Sequence, residues 1–165
     1  MKKYINMSLM MALTTVFTFG FFACGDDDVT NKDMQKPVIS SEGITANPIN
    51  CQQYYRGDVI PFHYILSDDE ELGSYNIEIH SNFDHHTHST ESSADCHSGE
   101  EEHTTPVNPW VFNHDYIIEG GQKSYEARQN IDIPTDIDPG DYHFVIRVTD
   151  KTGWQQILAV EIEIE

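Results

Sequence analysis

The sequence predicts an all-β fold, an immunoglobulin-like β-sandwich of about seven strands. Three observations carry that expectation. Apolar and polar residues alternate in several separate runs, the pattern of strands with one buried face. Turn-forming clusters of Gly, Pro and Asp divide those runs at spacings usual in a sandwich. Beyond residue 23 no stretch has a convincing helical period. A long histidine-rich insert interrupts the series between the third strand and the strand near Ser124.

The elements follow in order. Pro37 begins the fold, and a first strand is expected near Val38 to Ile44. In GDVIPFHYILS, Ile60, Phe62, Tyr64 and Leu66 fall on one face of a strand. Asp68 to Gly73 supply a turn, and Tyr75, Ile77 and Ile79 alternate beyond it. SYEARQNIDIP reads as a strand ended by Pro134, and DPG makes the next turn. DYHFVIRVTDKTG places Tyr142, Phe144, Ile146 and Val148 on one face before a turn at Asp150 to Gly153. WQQILAVEIEIE is the closing strand, and no internal repeat is visible.

Residues 1–23 read as a lipoprotein signal peptide: Lys2 and Lys3, then an apolar run that ends in FFAC. Cys24 would then carry lipid and anchor the chain to the cell outer membrane, facing the periplasm or the surface. Phe21 and Phe22 depart from the usual pattern before such a cysteine. The alternative is an uncleaved anchor, since the run approaches the length of a spanning helix. Residues 24–36 read as an acidic tether, and 37–165 as the sandwich with an insert at 81–115. Nothing after residue 23 is long and apolar enough to span a bilayer.

The formal net charge is −19, and loss of Lys2 and Lys3 makes it −21. A surface this acidic repels nucleic acid and attracts cations. Outside the cytoplasm Cys51 and Cys96 are expected to pair as a disulfide. The rival reading makes Cys96, beside His97, a thiolate metal ligand.

Residues 80–103 hold six histidines, six carboxylates and one cysteine, with no lysine or arginine. Imidazole is the preferred ligand of zinc and copper. If Tyr75, Ile77 and Ile79 face the core, His80 faces outward, and by the same parity so does His143. Third and penultimate strands of such a sandwich pair antiparallel. His80 and His143 are therefore expected side by side, at the pole where the insert begins. The loop 45–57 would share that pole and let Cys51 reach Cys96. His86 and His88 project to one side of an extended segment, with His85 adjacent. Asp84 serves as ligand or as partner to an imidazole. The expected metal set is His80, Asp84, His85, His86, His88 and His143. His97 and His103, near Glu100 to Glu102, form a weaker second set. The plain alternative is a solvated polar loop. His63 and His114 read as surface residues with no task. Calcium is the rival ion, because LSDDEELGSY and VTDKTG carry acids at turns. The aspartates there are read as turn formers at the opposite pole.

The lipoprotein start, IEIHSNFDHHTHS, IDIP and GDYHFVIRVTDKTG together resemble domain of unknown function family 4625. The resemblance covers residues 37–165 and implies a Bacteroidota lipoprotein with an immunoglobulin-like domain. The acidic run after Cys24 resembles the surface-export signal of such lipoproteins. The resemblance implies no reaction. No Ser/His/Asp order, phosphate-binding glycine loop or zincin helix is present, so no enzyme is expected. The functional expectation is capture of Zn2+ or Cu2+, with handover to an outer-membrane transporter as the partner. The alternative is an adhesion or glycan-binding module in which any metal is structural, with Trp110, Tyr116 and Trp154 available to stack on sugars.

Overall fold

The computed structural model describes residues 33–83 and 105–165. These form eight strands: β1 (Val38–Ser40), β2 (Gln52–Tyr54), β3 (Val59–Ser67), β4 (Leu72–Ser81), β5 (Phe112–Ile117), β6 (Ser124–Asp132), β7 (Gly140–Asp150) and β8 (Gln155–Ile164). No helix occurs among the described residues. One sheet has the order β1-β3-β6, the other β2-β8-β7-β4-β5. All pairings are antiparallel except that of β2 with β8.

The alternation in the sequence is what builds this sandwich. Ile60, Phe62, Tyr64 and Leu66 point from β3 into the core. They meet Tyr75, Ile77 and Ile79 of β4 and Tyr142, Phe144, Ile146 and Val148 of β7. Phe62 joins the layers, its ring centroid 6.2 Å from Tyr75 and 5.8 Å from Phe144. Removing a buried aromatic ring of this kind costs about 3–5 kcal/mol.

Several boundaries differ from expectation. β4 runs to Ser81 and β5 begins at Phe112, both inside the span assigned to the insert, 81–115. β5 escaped notice because it is an edge strand whose middle residues, Asn113, His114 and Asp115, are exposed. Its hold on the sandwich is aromatic, with Tyr116 stacked 4.7 Å from Tyr75. β1 stops at Ser40 rather than Ile44, because the chain turns there, with Gly43 at φ +75°. β2 is only three residues long and carries no alternation to read. The compact unit starts at Asp33 rather than Pro37. The Asp33 carbonyl accepts a hydrogen bond from Trp154 Nε1 at 3.1 Å, which ties this residue to the fold.

Candidate metal centre

β4 and β7 place His80 directly opposite His143. Their ring centroids lie 5.5 Å apart at an interplanar angle of 79°. On the far side of His143, β8 supplies Glu161 as its cross-strand partner. Side chains directly opposite one another share a face of a sheet. His80, His143 and Glu161 therefore form a row across three strands, on the face turned away from Tyr142 and Phe144. Asp141, two residues before His143, has the same parity. This outer face is not open to water at the middle strand: His143 is 4% exposed, Asp141 5% and Glu161 8%. His80 is more accessible, and its Nδ1 lies 3.2 Å from Glu78 Oε1.

The 47–54 segment reaches the same pole. Cys51 N–H donates to the Glu161 carbonyl at 2.8 Å, and Glu161 N–H donates to Asn50 Oδ1 at 2.9 Å. Cys51 is disulfide-bonded, and its partner lies outside the described residues. Cys96, the expected partner, and Cys24, the expected lipid site, also lie outside them, as do Asp84, His85, His86, His88, His97 and His103.

The chain leaves and re-enters this pole through Tyr142. Phe83 follows β4 and packs edge-on against the Tyr142 ring at 5.4 Å. Gly140 makes room for it: a Cβ there would sit 2.8 Å from Phe83 Cε1, and its φ of +131° suits glycine alone. On the returning segment Trp110 N–H donates to the Tyr142 hydroxyl at 3.2 Å. That hydroxyl donates to the Asp138 carbonyl at 2.6 Å. Asp138 Oδ2 in turn accepts from the N–H groups of Val107 and Asn108, at 2.6 and 2.7 Å. Burial raises the Tyr142 phenol above its usual pKa, keeping it a neutral donor.

Within the described residues His80 and His143 form a two-point platform. The only group of three potential ligands there whose donor atoms all lie within 4.8 Å is elsewhere, at Asp33, Asp68 and Asp150. His63 belongs to the other sheet, as its strand predicts. It bridges the Thr45 carbonyl at 3.1 Å and Glu126 Oε1 at 2.9 Å. The Glu126 carboxyl is held below the usual range by Arg128 first and His63 second. His114 lies exposed on the edge strand, against Tyr116 at 4.6 Å. Glu161 and Asp141 were missed in the sequence, although the parity that found His143 also applies to EIEIE and to the start of β7.

A family profile described as a domain of unknown function, DUF4625, matches residues 22–165. The chain belongs to the DUF4625 family. No curated protein matches this DUF4625 chain. Among solved structures it is similar to wild-type OgpA from Akkermansia muciniphila, with 10% sequence identity and a TM-score of 0.47. The alignment takes in 80% of the DUF4625 chain but only 29% of OgpA. The family match spans the row His80, His143 and Glu161 together with the Tyr142 clamp, so the whole pole belongs to the DUF4625 unit.

Proposed function

We propose that this domain is a cell-envelope lipoprotein module that binds a transition-metal ion, zinc or copper, at the pole marked by His80 and His143. The observation that carries this reading is their cross-strand pairing, with ring centroids 5.5 Å apart. Two imidazoles on hydrogen-bonded neighbouring strands are positioned by the sheet itself, so little ordering entropy remains to oppose a metal. Imidazole nitrogen suits both ions. Glu161 and Asp141 supply carboxylates beside the pair, either as ligands or to orient an imidazole. The formal charge of −19 raises the local cation concentration. Asp84, His85, His86 and His88 would complete the coordination from the segment that follows Phe83.

The rest of the reading extends from there. Lipid on Cys24 would hold the module at the outer membrane, and an outer-membrane transporter would receive the ion. The role is binding rather than catalysis. An immunoglobulin-like assignment is supported by the separation of β3 and β6 from β4, β7 and β8, and by the Tyr142 hydroxyl bonding back to Asp138. A glycan platform draws less support. Trp110 is 6% exposed, Trp154 is bonded to the Asp33 carbonyl, and Tyr116 is stacked on Tyr75.

The test uses protein purified without a histidine tag. Elemental analysis and calorimetric titration with Zn2+ and with Cu2+ measure stoichiometry and affinity. His80→Ala and His143→Gln are each expected to weaken binding at least tenfold, with the β-sheet circular dichroism unchanged. Equal affinity in folded variants and parent would overturn the reading.

A further inference from the structure

At the end of the sandwich remote from the histidines, Asp33, Asp68 and Asp150 converge. One carboxylate oxygen from each lies within 4.8 Å of the others. Asp68 sits in the connection between β3 and β4, and Asp150 is the last residue of β7. Leu72 pairs with Asp150 and His80 with His143, so the two ends are eight β4 residues apart, about 26 Å.

The aspartates do form the turns. Asp68 Oδ1 accepts the N–H groups of Glu70 and Glu71, at 2.9 and 2.8 Å. Asp150 Oδ1 accepts those of Thr152, Gly153 and Trp154, at 2.8, 2.6 and 2.8 Å, and the Thr152 hydroxyl at 3.0 Å. Turn formation uses one oxygen of each carboxylate and leaves the other. Asp68 is 8% exposed and Asp150 4%, and the Oδ2 of each is buried without a hydrogen-bond partner. A buried carboxylate oxygen is costly unless a proton donor or a cation meets it. Among the described residues no lysine or arginine forms an ion pair with any of the three: Lys151 lies 3.6 Å from Glu71, and Lys123 Nζ donates to the Asp69 carbonyl. Asp33 brings a third carboxylate, held by Gln35 N–H on Oδ1 at 2.9 Å, with Oδ2 at 3.4 Å from the Thr152 hydroxyl whose one proton lies nearer Asp150.

We propose that Asp33, Asp68 and Asp150 form a calcium site that fastens the start of the domain to the β3–β4 and β7–β8 connections. Oxygens bound about 2.4 Å from one ion are at most about 4.8 Å apart, which the three carboxylates satisfy. The donors are all hard oxygens, the choice of calcium rather than of zinc or copper. Magnesium demands a tighter octahedron and keeps most of its water, so it fits a dry carboxylate cluster less well. Water and backbone carbonyls would fill the remaining coordination positions. This site is independent of the histidine pole in both chemistry and place. An affinity of about 10⁻⁴ to 10⁻³ M is expected, the range of extracellular calcium modules.

The full chain, stripped with a calcium chelator, is titrated with Ca2+, with Mg2+ and with Zn2+, followed by calorimetry and thermal melting. Calcium is expected to raise the melting temperature of the parent, and magnesium at equal concentration to raise it less. Asp33→Asn and Asp68→Asn keep an oxygen for the turn N–H groups but remove a charge. Each is expected to lose at least tenfold in calcium affinity. Without calcium each should melt above the parent, since repulsion among the three carboxylates is relieved, and with calcium the order should reverse. Asp33→Asn keeps the test decisive if Asp68→Asn does not fold. A parent that ignores millimolar calcium, or a folded variant that responds like the parent, overturns the proposal.

Discussion

His80 and His143 face each other across antiparallel β4 and β7, ring edge toward ring, with centroids 5.5 Å apart. Backbone hydrogen bonds fix this separation, and no loop conformation is required for it. Transition-metal affinity should therefore follow the protonation of imidazole. A histidine must lose its proton before it can coordinate, and its ordinary pKa is about 6.5. Binding of Zn2+ measured by competition with a chromophoric chelator should be tight at about pH 7.5 and fall steeply below about pH 6.5. Affinity that stays constant to about pH 5 would point to carboxylate ligands alone.

The Tyr142 hydroxyl joins two backbone segments, accepting from Trp110 N–H and donating to the Asp138 carbonyl. Tyr142→Phe keeps the ring packing but leaves both backbone groups without this partner. A loss of about 2 kcal/mol is expected in urea unfolding. Hydrogen exchange should accelerate first at Trp110, the amide released by the change.

Gly140 combines a φ of +131° with contact against Phe83. Gly140→Ala forces a Cβ into the Phe83 ring and strains the backbone together. Destabilisation of about 2–4 kcal/mol is expected from the two effects. A double variant with Phe83→Ala removes the clash but not the strain. Its cost should accordingly fall short of the sum of the single changes, which a thermodynamic cycle measures.

Buried phenols are expected to weaken the fold at alkaline pH. Burial raises Tyr54, Tyr64 and Tyr75 from 10.0 to about 12. The Tyr64 hydroxyl donates to the Pro48 carbonyl at 2.6 Å, and that of Tyr54 to Asn47 Oδ1 at 2.9 Å. The neutral phenol is the form the fold prefers, so its pKa is higher folded than unfolded. That stabilisation is complete below the unfolded pKa of about 10 and is lost as pH rises toward 12. Urea midpoints should be level up to about pH 9.5 and fall between about pH 10 and 12. Tyr64→Phe should flatten the decline while lowering the plateau.

Much of this arrangement is legible in the residues. Period-two alternation identifies β3, β4, β6, β7 and β8, because in each the core-facing residues are apolar and alternate with polar or smaller ones. The same parity, applied to the third and penultimate strands, brings His80 opposite His143. It does not show that the middle strand is covered on both faces, so His143 reads as exposed when it is 4% exposed. β5 is hidden because only Phe112 and Tyr116 are partly buried, with His114 between them on the same face. Asp68 and Asp150 are recognisable as turn formers, and they do form turns. Their convergence with Asp33 is a long-range event. One more aspartate in an acidic leader carries no periodic signal, and Trp154 and Thr152 meet it only in the folded chain.

Asp33 marks the end of the sandwich at which the described chain begins. The polypeptide enters the sandwich beside Asp68 and Asp150, the length of β4 away from the imidazoles. A full strand length therefore separates the point of entry into the sandwich from the imidazole pair.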